Sequence, residues 1–239
     1  MKNSQAIIVD REQAERFCGR MRFDWYLQLA NGDTGLALAL YRWNNRCAGV
    51  VHEQIGYVEA AVRNTIDRQL ATWNLSNCGS ASWTDVQTMP KIIRTLLHTQ
   101  ISDAQNLAGG KNASHDQVVE CLMWGSWVKL VGLPQKSKNS RLQQNLWRQS
   151  LHKAFPNIHP GRQSTDLETD RQNIARKLQF LRNFRNRAAH FKDLTILAGK
   201  EEKLINNSLS LLAAIDPSFV TGWFSPAAIR NIVRLKPAI

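Results

Sequence analysis

The sequence predicts an all-α fold. Apolar residues recur at threes and fours along every strongly patterned stretch, no alternating apolar and polar run is long enough to compete, and three stretches open on helix-capping signatures. The clearest segment follows an Asn31-Gly32-Asp33 turn. Leu36, Leu40, Trp43, Cys47, Val51, Ile55, Val58, Val62 and Ile66 line one face, which predicts a single long N-terminal helix reaching about Leu70, with Gly49 and Gly56 as places where it can bend. Residues 74–82 are rich in Gly, Ser and Asn and read as a loop, followed by a helix from about Thr84 to Leu107 that Gly109-Gly110 ends.

The later helices are opened by their caps. Ser114 with Gln117 predicts a helix over 115–131, Thr165 with Glu168 one over 166–189, and Ser225 before Pro226 one over 226–235. Shorter periodic stretches predict helices over 141–155 and 201–215. The linkers at 132–139 and 156–164 are short and polar and contain proline, unlike a flexible domain boundary, and no internal repeat or low-complexity tract divides the chain. Residues 1–239 therefore read as one domain.

Composition narrows the classes of function. The longest apolar runs, Leu36–Tyr41 and Leu211–Ile215, fall far short of the roughly 18 residues a membrane span requires. The opening MKNSQAIIVDREQ holds too short an apolar stretch for a secretory signal, so a cytoplasmic protein is expected. Cys18, Cys47, Cys78 and Cys121 form no Cys-x-x-Cys pair and have no histidine at zinc-ligand spacing; they read as reduced thiols, with no metal site. No Gly-rich phosphate loop, zincin motif or nucleophile elbow is present, and no cofactor is expected.

Charge points to a polyanion. With 31 Lys+Arg against 19 Asp+Glu the net charge is +12. Arg141, Arg148, Arg162, Arg171, Arg176, Arg182, Arg185 and Arg187 crowd one stretch, and guanidinium groups suit phosphate contact and stacking on unpaired bases. The same excess also serves plain solubility.

The stretch that can carry chemistry is RNFRNRAAHF, residues 182–191, in which Arg185 and His190 are separated by four residues. An imidazole can take the proton of a ribose 2′-OH while a guanidinium steadies the charge growing on the attacked phosphate. In a chain with this much Arg, that spacing arises roughly once or twice by chance, and Arg46 to His52 reads as such a coincidence. Arg185 differs because it interrupts the apolar stripe of Ile174, Leu178, Leu181 and Ala188, where a charge needs a partner or a task. The bland reading is a structural Arg paired to a carboxylate beside a capping His.

Several ordered segments resemble the Abi-like (abortive infection) family, within the HEPN group of helical nucleases and RNA-binding modules. ALALYRWNNRCAGVVHEQIGYVEAAVRNTIDRQL is similar to the family's long N-terminal helix, VVECLMWGSWVKL and NLWRQSLHKAFP to its middle section, and LRNFRNRAAHF to its closing Arg-Asn-x-x-x-His box. The resemblance implies a HEPN-like helical bundle, metal-independent RNA cleavage, a symmetric homodimer, and a role in phage defence or as a toxin restrained by an antitoxin. It makes Arg185 and His190 the catalytic pair with Asn186 assisting. Arg182 and Arg187 become RNA contacts, and Arg63 and Asn64 supports of the site. Lys192 stands where HEPN toxins silenced by nucleotidylation carry Tyr, which argues against that control, and Phe191-Lys192-Asp193 replaces the His or Arg residues that often follow the box.

Other features read more plainly. Glu59, Arg63 and Asp67, spaced by four, suggest a salt-bridge ladder, although Glu59 or Arg63 can also face Arg185 in a bundle. Trp43, Trp124, Trp127 and Trp147 occupy apolar positions and read as core. His98, His115, His152 and His159 show no functional arrangement. The alternatives to a nuclease are a non-catalytic module gripping structured RNA and a protein–protein regulator. Residues five apart on a continuous helix point about 140° away from each other, so Arg185 and His190 converge only if the helix ends between them or a second copy completes the site.

Overall fold

The computed structural model describes residues 9–132, 139–159 and 166–239. Among them are ten α-helices and no strand, as the periodicity predicts. Thr165, the expected cap of the helix over 166–189, lies outside the described residues, as does most of both linkers.

Two short helices that no strong period announces precede the long one: α1 (Arg11–Cys18) and α2 (Arg20–Leu29), which meet at Gly19. Phe23, Tyr26 and Leu27 of α2 form a small apolar cluster with Ala37 and Leu40 of the next helix, separate from the main core. The expected turn follows, with Asn31 and Gly32 at positive φ and the Asp33 carboxylate accepting from Leu36 N. Helix α3 (Thr34–Cys78) then runs 45 residues, unbroken at Gly49 and Gly56. It ends eight residues beyond Leu70 because its polar last turns are internally satisfied. Thr72, Ser76 and Asn77 bond carbonyls four residues back, and buried Asn74 donates to Ser80 O, so the composition that suggests a loop completes a helix instead.

Two further boundaries differ from expectation. The helix expected from Thr84 begins at Lys91 (α4, Lys91–Leu107), because Pro90 takes the cap position with extended backbone. The helix expected over 115–131 is two, α5 (His115–Cys121) and α6 (Trp124–Val131), broken where Leu122 and Met123 adopt extended backbone. The Ser114–Gln117 capping box forms as read. Burial explains the break: Trp124, Trp127, Val128, Leu130 and Val131 are buried on nearly every side of α6, which an extension of amphipathic α5 would not achieve.

Helix α7 (Ser140–Gln149) and a 3-10 turn (Leu151–Ala154) fill 141–155, α8 (Leu167–Ala189) is capped by Asp166, and α9 (Glu201–Ile215) and α10 (Pro226–Arg234) follow, the last opened by Ser225 as predicted. The α3 stripe from Trp43 to Leu70 is buried throughout; α3 packs against α2, α8, α9 and α10, and α6 against α4, α7 and α8. Each such aliphatic side chain contributes about 1.5–3 kcal/mol on burial. The four tryptophans read as core are core, and the Trp43 indole donates to Ile232 O.

One polar lock ties α6 to α8. Arg171, 3% exposed, donates twice to Glu168 (2.9 and 2.6 Å) and once to Val131 O (2.8 Å) at the end of α6. Gly132 must be glycine there, since its φ is +94° and a Cβ would stand 2.6 Å from Arg171 Nη1. No helix among the described residues is long and apolar enough to cross a membrane.

Candidate active site

The Arg-Asn-x-x-x-His box occupies the end of α8, where His190 still makes the helical bond from its N–H to Asn186 O (3.2 Å). The helix ends at Ala189 with His190 as its capping residue. Phe191 adopts φ +48°, its N–H bonds Ala188 O (3.0 Å), and Lys192 N bonds Arg187 O (2.8 Å). That pair of bonds is a Schellman motif with a phenylalanine in the place glycine usually takes. Asn44 of α3, fully buried, fixes the departing chain by donating to Lys192 O (3.2 Å) and accepting from Leu194 N (2.7 Å). Arg187 donates to Asp193 O (2.8 Å) and so braces the same turn. It was expected to contact RNA; its Nη1 is engaged within the chain.

Arg185, Asn186 and His190 line one cavity of about 690 Å³. Its lining comes from α4, with Gln100 and Asp103, from α6, from Gln143 of α7 and from α8. Gly125 of α6 makes room for Arg182, whose Nη2 would lie 3.3 Å from an added Cβ. Behind Arg185 is a second cavity of about 340 Å³, lined by Glu59 and Arg63 of α3 and by Glu120. Arg185, Cys121 and Met123 border both cavities.

The charge in the apolar stripe has its partner. Arg185 Nε lies 3.4 Å from Glu59 Oε2, with the two side chains 26% and 17% exposed. Buried Arg185 Nε makes no aligned hydrogen bond, so the contact is a charge pair without the directional component. Arg63 shares the smaller cavity, while exposed Asn64 lines neither and accepts from Arg63 Nε at 3.3 Å.

The expected ladder on α3 does not form. Glu59 turns to Arg185, Arg63 to Asn64, and Asp67 accepts from the Trp83 indole (2.8 Å) and pairs with His115 Nε2 (3.0 Å). For Glu59 and Asp67, tertiary partners outcompete neighbours on the same helix because they are held less exposed to water. His115 also bonds Thr84 Oγ1 through Nδ1 (2.8 Å), an arrangement the sequence conceals because its members are 31 and 48 residues apart. It resembles a nucleophile relay, yet Thr84 is 4% exposed, so its hydroxyl ties the segment between α3 and α4 to His115 instead of meeting a substrate, while the Asp67 contact pins α5 to α3. His152 and His159 are likewise engaged, with Trp147 O and Asp170.

Among the described residues no three His, Cys, Asp or Glu side chains cluster as metal ligands would. No family model, curated protein or solved structure matches the chain. The likeness to Abi-like proteins thus rests on the ordered sequence segments alone. Chemically, the larger cavity offers a guanidinium, an amide and an imidazole facing one space, able to hold a phosphate and exchange a proton beside it.

Proposed function

We propose that this chain is an endoribonuclease of the Abi-like kind, cutting RNA with Arg185 and His190 by a route that needs no metal ion. His190 takes the proton of a ribose 2′-OH, and the 2′-oxygen attacks the adjacent phosphorus. The bond to the 5′-oxygen breaks, and that oxygen leaves with a proton returned by the imidazolium. Arg185 steadies the phosphoryl oxygens, Asn186 assists by hydrogen bonding, and Arg182 holds the backbone. The products are a 2′,3′-cyclic phosphate and a 5′-hydroxyl.

One observation carries the reading: Arg185, Asn186 and His190, the capping residue of α8, line the same cavity of a single chain. The net charge of +12 supports a polyanionic substrate. The sequence resemblance supports a role in phage defence or toxin–antitoxin control, an antitoxin as partner, and a symmetric dimer bringing two boxes together. A second reading has its own support. The Glu59 pair partly neutralises Arg185 and ties α8 to α3, as it would in a non-catalytic RNA-binding module.

Incubation with labelled RNA in EDTA separates the two. Cleavage to cyclic-phosphate ends is expected, with DNA of the same sequence left whole for want of the hydroxyl. His190→Ala should slow cutting by roughly 10²–10⁴ while leaving RNA affinity nearly unchanged. Arg185→Ala should also abolish it, and counts where the melting profile is preserved, since it breaks the Glu59 pair. RNA bound tightly but left whole under every divalent-ion condition, with His190→Ala behaving identically, would replace the nuclease by the binding module. A sedimentation mass of one chain with activity intact would remove the dimer.

A further inference from the structure

Beyond the box, the wall of the larger cavity formed by α4 has a hydrogen-bonding pattern of its own. Gln100 and Asp103 stand three residues apart on one helix face, both lining the cavity. Lys129 Nζ donates to Gln100 Oε1 at 3.0 Å. Lysine can only donate, so this bond fixes which way the amide points and leaves its NH₂ as the group available to a ligand. One turn away, the exposed Asp103 carboxylate can only accept while ionised. The wall thus presents one donor beside two acceptor oxygens.

That order matches one nucleobase edge. Guanine offers O6 as an acceptor, then N1–H and N2–H as adjacent donors that a carboxylate takes in parallel. Uracil sets carbonyl oxygens on both sides of its single N–H, cytosine and adenine each place an acceptor beside their amino group, and all three would put a lone pair against the Asp103 carboxylate. Leu107 and Met123, both largely exposed at the cavity's margin, supply apolar surface for the face of a base. At about 690 Å³ the cavity lies within the range that encloses small organic ligands.

We propose that the larger cavity is a guanine-selecting subsite for single-stranded RNA, read by Gln100 and Asp103 next to the phosphate held at Arg185. The proposal rests on the ribonuclease reading above and adds base choice to it. A base must leave its helix to offer this edge, so the subsite takes unpaired strands and excludes duplex. The strand passes Arg185, which separates this cavity from the smaller one.

The test uses the full chain and labelled six-nucleotide RNAs of U, each with one central G, A, C or U, made 2′-deoxy at that nucleotide and its two neighbours to block cutting there. Fluorescence anisotropy should give G an advantage over U on the order of 10-fold, as expected for a bidentate base contact. Asp103→Asn should reduce it to within about twofold, and Gln100→Glu should lower it similarly, because each replaces one side of the pattern. Asp116→Asn, an exposed carboxylate on α5 that lines neither cavity, should keep it. All-ribose versions should be cut beside G. Equal affinity for the four bases, a preference for another base, a G preference surviving Asp103→Asn, or duplex competing as well as single strand would each overturn the subsite while leaving the nuclease standing. Failure to bind or cut any single-stranded RNA would remove the nuclease reading and the subsite together.

Discussion

The Schellman turn that ends α8 just after His190 depends on Phe191 holding φ +48°, and comparing Phe191→Ala with Phe191→Gly isolates the cost of that conformation. Both substitutions remove the same half-exposed ring, and both keep the backbone bonds from residue 191 to Ala188 O and from Lys192 to Arg187 O. They differ in the Cβ. A residue with a Cβ in the left-handed region costs about 1–2 kcal/mol, and glycine's larger loss of freedom on folding returns about 0.5–1 kcal/mol of that advantage. Glycine should therefore be more stable than alanine by roughly 1 kcal/mol, about 2–4 °C in Tm for a chain of this length. Burial of half a phenylalanine contributes about 1 kcal/mol, so wild type should melt near the glycine variant, with alanine lowest. Thermal unfolding followed at 222 nm, checked by urea midpoints, reads this directly. If alanine melts at or above glycine, residue 191 is not left-handed, and the Schellman ending of α8 fails with it.

Two more expectations concern the lock between α6 and α8. Arg171→Ala leaves the Val131 carbonyl without its partner and Glu168 with only its bond from Gln172, which should destabilise the fold by about 3 kcal/mol and lower Tm by on the order of 10 °C in a scanning melt; a change under about 1 °C would show the lock contributes nothing. The same contact sets a pH dependence. The Arg171 guanidinium, bonded to Glu168, holds that carboxyl below its ordinary 4.5. Because the folded value is depressed, this stabilisation is fully present above about pH 4.5 and is lost as the pH falls through the folded value. Urea midpoints from pH 6 down to pH 3 should fall less steeply for Glu168→Gln than for wild type, and parallel curves would refute the linkage.

Local signals predict the elements well where they are local in cause. Asp33, Ser114 and Ser225 cap helices with their own side chains, a contact made within three residues, and each is legible as a short pattern. Boundaries set by neighbours are not legible in this way. The break at Leu122-Met123 has no glycine or proline to announce it, and follows from the burial of α6 on nearly every side. Asn74 to Asn77 look like loop residues and are helix, because their side chains find acceptors in the folded chain.

The candidate site divides along the same line. That Arg185 sits on an apolar face, and so needs a partner, follows from helical periodicity alone, since position in a 3.6-residue repeat determines which side of the helix is buried. Which group answers it is a tertiary matter: the partner, Glu59, lies far away in sequence, and the pattern on α3 left open whether Glu59 or Arg63 faces Arg185. The convergence of Arg185 and His190 is tertiary as well. They border one cavity because α4, α6 and α8 together enclose a space that both side chains line, while Asn44, from another helix, fixes the chain beyond His190. The sequence by itself determined most of the helices and the caps at Ser114 and Ser225, because those arise from interactions within a few residues. Packing alone decided which groups meet across helices, because contacts between distant segments are chosen by the competition of all faces for burial.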